Sequence, residues 1–148
     1  MRGTIVCGVT DGDDGRAALA VAAELSERRR LRLVLVHVAG IAPSDVDGSE
    51  SVTTRADRQG AARFVARLAA ELGVADRAEQ RSAVGEPAAL LGQIAAEEAA
   101  DLIVVGSRAR GRLRHGLESR VARQLETTTP VPVLIAPPRT LHAGKPAS

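Results

Sequence analysis

Two stretches of this 148-residue chain are apolar at successive positions rather than at alternate ones: Leu33-Val34-Leu35-Val36-His37-Val38 and Leu102-Ile103-Val104-Val105. A strand with one face in water alternates apolar and polar residues. A run without that alternation has to be covered on both faces, as in a parallel sheet between two layers of helices. Three further runs share the strand pattern. They are Ile5-Val6-Cys7-Gly8-Val9, a weaker one near Glu79 to Val84, and Val131-Pro132-Val133-Leu134-Ile135. Pro132 cannot donate to a ladder, which places it at an edge strand or at a strand's first residue.

Helix-period stripes separate the runs. Ala18, Val21, Ala22 and Leu25 repeat at the spacing of one helix face, as do Ala61, Phe64, Val65, Leu68 and Leu72. Leu90, Leu91, Ile94 and Ala95 mark a third helix, opened by Glu86-Pro87 with proline early, where a helix tolerates it. Val121 and Leu125 mark a fourth. Strand and helix alternate five times and four times. The fold expected is α/β: a single-domain, doubly wound, five-stranded parallel sheet with helices on both faces. The domain is expected over residues 1 to 138. Residues 139 to 148 form a polar tail expected to be disordered, and Gly40 to Glu50 reads as a loop rich in Pro, Gly, Ser and Asp.

Composition narrows the function classes. With 45% hydrophobic residues but only 1% aromatics, the core is aliphatic and no stacking platform for single-stranded nucleic acid is available. Twenty basic against 18 acidic residues leave a formal charge of +2, too balanced for a DNA-binding protein. The single cysteine, Cys7, lies in an apolar run and reads as a small core residue. No apolar run is long enough to span a bilayer and no apolar signal region opens the chain, so a cytoplasmic location is expected. No phosphate-binding Walker loop, nucleophile elbow or metal-ligand cluster is present, and no catalytic residues are assigned.

Ligands of open α/β sheets bind beyond the carboxyl ends of the strands, where the winding reverses. The turns of interest are therefore Thr10-Asp11-Gly12-Asp13-Asp14-Gly15, Ala39-Gly40 and Gly106-Ser107-Arg108-Ala109-Arg110-Gly111. With these on the page, a resemblance becomes specific. Ile5 to Val9 with its acidic turn, Leu35-Val36-His37-Val38, Gly85-Glu86-Pro87, Asp101 to Arg108, and Val131 to Pro138 stand in the order found in the universal stress protein family. The likeness covers residues 3 to 138 and implies a sheet of the adenine nucleotide alpha hydrolase-like kind.

What the resemblance implies about the site is an adenine nucleotide, ATP with Mg, bound by a G-x2-G-x9-G-[ST] pattern after the fourth strand. Glycines let backbone approach phosphates, and the final pair opens a helix whose N–H groups favour anions. Placed on that pattern, Gly106 matches the first glycine, followed by Ser107 and Arg108. Ala109 holds the second glycine position, Ser119 the third, and Arg120 the Ser/Thr position. A left-handed backbone at Ala109 would cost about 1–2 kcal/mol. Val38 matches the residue lining the adenine pocket, and the acidic ribose ligand falls on Thr10 or Asp11, of which Asp11 is the better chemical match.

Each of these residues also has a plainer reading. Asp11, Asp13 and Asp14 suit a turn and a helix cap, and Ser119 suits a helix cap. Arg108, Arg110, Arg112, Arg114 and Arg120 suit a solvated loop better than a set of phosphate forks. His37 reads as a packed or hydrogen-bonded histidine, and Asp101 as a residue bordering a strand with no further role. Three functions stay open: a non-enzymatic stress-response or regulatory module with a degenerate nucleotide site, at most a weak ATPase; a relative that binds no ATP and acts through dimerisation or another protein; and, disfavoured by the lack of a catalytic constellation, an enzyme of a related nucleotide-binding α/β group. The resemblance implies a homodimer paired through the last strand, Val131 to Ile135.

Overall fold

Alternation of apolar strands with amphipathic helices resolves into five strands and four helices in the computed structural model, which describes residues 3–9, 13–39, 51–106 and 120–137. In chain order they are β1 (Thr4–Gly8), α1 (Asp13–Arg29), β2 (Arg32–Ala39), α2 (Ser51–Glu71), β3 (Ala78–Val84), α3 (Pro87–Glu97), β4 (Leu102–Gly106), α4 (Arg120–Thr128) and β5 (Val133–Ala136). The strands form one sheet in the order β3-β2-β1-β4-β5, and every pairing is parallel. The chain winds outward from β1 to β3, then returns across β1 to β4, so winding reverses between β1 and β4. The α/β, doubly wound expectation holds in full. Pro132 precedes β5, an edge strand, and its carbonyl accepts from Ile103 N at 3.0 Å, so its missing N–H costs the ladder nothing.

Alternation along each strand divides the core in two. Ile5, Cys7 and Val9 join Leu33, Leu35 and Val104 under α1 and α2, where Ala18, Leu19, Val65 and Leu68 meet them. Val6, Val34, Val36, Ile103 and Val105 point to the other face, against Leu91, Ile94 and Ala95 of α3 and Leu125 of α4. Burial pushes the Cys7 thiol well above its ordinary range, so it stays neutral and acts as core packing.

The described helices end or begin by identifiable devices. Pro87 is the first residue of α3, and the Glu86 side chain caps it by accepting from Ala89 N at 2.9 Å. Three helices end in a left-handed residue with the six-to-one backbone bond of a Schellman cap: Leu31 N to Ser26 O, Val74 N to Ala69 O, and Ala100 N to Ala95 O. Only one of these caps has a glycine, Gly73 (φ 71°). The others hold Arg30 (φ 54°) and Ala99 (φ 53°) in the same conformation. Among the described residues no helix is long and apolar enough to cross a membrane.

One sequence expectation is corrected. Asp101 does more than border a strand: its carboxylate accepts from Thr4 N at 2.9 Å, and its own N–H donates to Thr4 O at 2.8 Å. The start of β4 is thereby tied to the start of β1. Gly3 lies so close that a Cβ there would meet the Asp101 carboxylate oxygen at 2.5 Å. The loop at Gly40 to Glu50 and the tail from 139 onward lie outside the described residues.

Candidate functional site

The carboxyl ends of β1, β2 and β4 are brought side by side by parallel pairing. Cys7 lies opposite Val104 across β1 and β4, Gly8 opposite Val36 across β1 and β2, and Gly106 closes β4 opposite Ala136 of β5. Winding reverses between β1 and β4, and in open α/β sheets ligands bind beyond the strand ends at such a point. Of the residues that sequence reasoning assigns to the site, Gly106 and Val38 are placed here. Gly106 is the last residue of β4, half-buried, and Val38 is half-buried at the end of β2, packed on the α3–α4 side of the core. Arg120 is the first residue of α4, where the family's Ser/Thr residue would open the helix. Thr10, Asp11, Ser107, Arg108, Ala109 and Ser119, with the side chain of Arg120, lie outside the described residues.

Three further features shape this end of the sheet. Gly8 has no space for a side chain, since a Cβ would sit 2.9 Å from Leu91 Cδ1 and 3.5 Å from Val105 Cγ1. Helix α3 therefore closes directly onto the end of β1. Gly85 has φ 151°, outside the range L residues favour, and a Cβ there would lie 2.8 Å from Leu90 Cδ1. This gives the Gly85-Glu86-Pro87 sequence its physical sense: a turn only glycine makes, then a cap, then proline at the helix start.

The third feature is His37. Its Nδ1 donates to the carbonyl oxygen of Val9 at 2.7 Å, and its ring stacks at a 49° tilt on Phe64 of α2, centroids 4.7 Å apart. Val9 N in turn donates to Val36 O at 2.8 Å. Both polar groups of the Val9 residue are thus bound by β2. The reading of His37 as a packed, hydrogen-bonded residue holds. Its partner could not have been found from sequence, because 28 positions separate the two residues.

At these strand ends Val38 and Val105 lie on the α3–α4 face of the sheet, Val9 is buried on the α1–α2 face, and Gly106 brings backbone without a side chain beside them. No acidic side chain stands in the first turn of α4. An open groove of about 500 Å³ does lie elsewhere, between α3 and α4, lined by Ala88, Ala89, Gly92, Gln93, Gln124 and Thr128 among others. Its lining also includes Glu86, two residues past the end of β3, but none of Val9, Val38 or Gly106. Among the described residues no group of three His, Cys, Asp or Glu side chains could hold a metal ion.

The fold matches known proteins. A hypothetical protein that served as a test case for structure-based assignment of function superposes with a TM-score of 0.79 at 20% identity, over 95% of this chain and 99% of that one. A universal stress protein solved in complex with cAMP gives 0.62 at 23% identity, over 93% and 98%. The universal stress protein of Archaeoglobus fulgidus in complex with dAMP gives 0.65 at 20% identity, over 92% and 98%. A search of curated proteins finds no significant match. The model of the universal stress protein family matches residues 1–137, almost the whole chain, and the protein belongs to that family.

Proposed function

We propose that this protein is a non-enzymatic stress-response or regulatory module that binds an adenine nucleotide at the carboxyl ends of β1, β2 and β4, with a weakened phosphate subsite. The observation that carries this reading is that Gly106 ends β4 and Val38 lies near the end of β2, on either side of β1 at the carboxyl edge of the sheet. Structural relatives solved with cAMP and with dAMP support it. The weakness follows from the sequence: Ala109, Ser119 and Arg120 stand where the family pattern has Gly, Gly and Ser/Thr. ATP with Mg is the nucleotide the family pattern implies. The fold places no acid–base pair or nucleophile at the described strand ends, and this reading assigns none. A cytoplasmic location belongs to the same reading.

The test is to denature freshly purified protein, chromatograph the supernatant for nucleotide, and titrate the emptied protein with Mg-ATP, AMP and cAMP by calorimetry. Retained adenine nucleotide or micromolar binding is the expected result. Complete absence of binding to all three would overturn the reading. Replacing Ala109→Gly, Ser119→Gly and Arg120→Ser together is expected to raise ATP affinity by restoring the backbone nest.

A second reading has its own observation. Leu134 and Ile135 on edge strand β5 are 38% and 37% exposed, and as neighbours on one strand they point to opposite faces of the sheet. An edge strand with both faces apolar invites pairing. We infer a homodimer joined through the last strand, Val131 to Ile135. Light scattering at high concentration should give twice the chain mass, and Leu134→Lys with Ile135→Lys should halve it. A wild-type monomer would exclude this.

A further inference from the structure

The His37–Val9 contact is the one side-chain bond among the described residues that joins two strands at the site end of the sheet, and nothing in the family pattern used above assigns it a role. Parallel strands hold each other by backbone bonds as far as the ladder runs. The β1–β2 register ends at Gly8 opposite Val36. One residue further, Val9 is still buried at 2% exposure, and its N–H is bound to Val36 O. Its carbonyl is the next group that must find a donor. It finds the His37 ring nitrogen at 2.7 Å rather than a peptide N–H.

The contact also decides the state of the ring. A carbonyl oxygen only accepts, so the proton must sit on Nδ1. Phe64 packs on the ring and holds its plane. His37 is half-buried, so the ring is neither free to swing out nor sealed in the core. The next residue, Val38, points to the opposite face of the sheet, packed against the α3–α4 side of the core. One peptide link thus joins the pin to β1 and the residue that the family pattern places beside the adenine.

We propose that His37 is a positioning residue for the nucleotide site: its Nδ1–H fixes the Val9 carbonyl, locking the exit of β1 to the end of β2 and so setting the place of the chain that leaves β1 relative to the strand end that carries Val38. This rests on the nucleotide reading above, deepening it to a residue that need not touch the ligand. The carboxyl end of β1 frays when the bond is lost, because no other described donor reaches the Val9 carbonyl.

Two replacements separate donor from bulk. In His37→Asn the side-chain amide nitrogen stands near the Nδ1 position and keeps a donor. In His37→Phe the ring packing on Phe64 is kept and the donor is lost. The nucleotide-free wild type is expected to show the Nδ1–H tautomer by 15N NMR. Amide exchange at Val9 should quicken in His37→Phe and stay near wild type in His37→Asn. Affinity for Mg-ATP and AMP should fall about fivefold in His37→Phe, the worth of one hydrogen bond, and recover in His37→Asn. An Nε2–H tautomer, or unchanged Val9 exchange in His37→Phe, would overturn the pin. Equal affinity in His37→Phe and wild type would overturn its role in binding. A wild type that binds neither nucleotide is a different failure: it removes the nucleotide reading and this role with it, while tautomer and exchange still judge the pin.

Discussion

The two ends of the sheet are built by different means. At the amino ends, charged side chains bind strand to strand and helix to sheet. Arg32, at the start of β2, donates to both carboxylate oxygens of Glu79 at 2.9 and 3.1 Å, to Glu98 at the end of α3, and to Thr4 Oγ1 at 3.2 Å. Arg81 reaches Glu97 at 3.1 Å and shares Glu98 at 3.0 Å. Asp101 ties β4 to β1, and Arg77 ties the start of β3 to Ser26 and Ala23 of α1. At the carboxyl ends, Val9, Val38, Val84 and Gly106 carry no charge, and among the described residues His37 is the side chain that bridges strands. The end that braces the fold is laced by polar contacts. Among the described residues, the end expected to bind presents aliphatic side chains and the backbone of Gly106.

The comparison can be broken most directly at Asp101. Asp101→Ala leaves the Thr4 N–H without its side-chain acceptor at the buried start of β1, and should cost about 2 kcal/mol. A urea titration with unchanged slope would show it as a lower midpoint. Nucleotide affinity should stay at the wild-type value. A parallel loss of affinity would show that the ends are not independent. A smaller effect is expected from Glu98→Gln, which takes a shared carboxylate from Arg32 and Arg81. Both arginines are well exposed, so screening limits the cost to about 1 kcal/mol, again with no change in binding.

The opposite sign is expected at two helix ends on the amino side. Arg30→Gly and Ala99→Gly remove a left-handed strain that glycine does not feel, and each should stabilise the protein by about 0.5–1 kcal/mol. For a domain of this size that is a rise of about 2–3 °C in melting temperature. A fall would mean that side-chain contacts at those positions outweigh backbone strain. The smallest effect is with pH. The bond from Arg32 holds the Glu79 carboxyl below its ordinary value of 4.5, and bonds from Gln93 and then Arg81 do the same for Glu97. A carboxyl depressed in the folded state adds stability above its unfolded pKa and loses it as pH falls through the folded one. The melting temperature should therefore be level above about pH 5 and decline below it. Arg32→Gln should flatten that acid decline, and an unchanged slope would show that other groups govern it.

Much of this was legible beforehand, and the reasons differ from residue to residue. The runs at Leu33 and Leu102 announce a sheet covered on both faces, since only burial on both sides suits apolar residues at every position. Glu86-Pro87 and Pro132 mark a helix start and an edge because their chemistry acts within one or two residues. The Asp101 bond to Thr4 crosses 97 positions and leaves no local trace, so the residue reads as unremarkable. Arg30 and Ala99 hide two helix caps for the opposite reason: a reader looks for glycine, and the fold imposes the left-handed turn on residues that only tolerate it. On the candidate site, sequence named Gly106 and Val38 by pattern but passed over Gly8, whose lack of a side chain matters only once Leu91 lies against it.

The sequence by itself determined the alternation of elements, the two-sided burial of the sheet, the family, and the departures at Ala109, Ser119 and Arg120, because each is written in residue type and spacing along the chain. Only the tertiary structure decided which strand ends meet, that Arg32 and Arg81 share Glu98, and that His37 closes on the Val9 carbonyl. Those are contacts between segments far apart in sequence. Their distances are set by strand register and helix packing, which no local pattern carries.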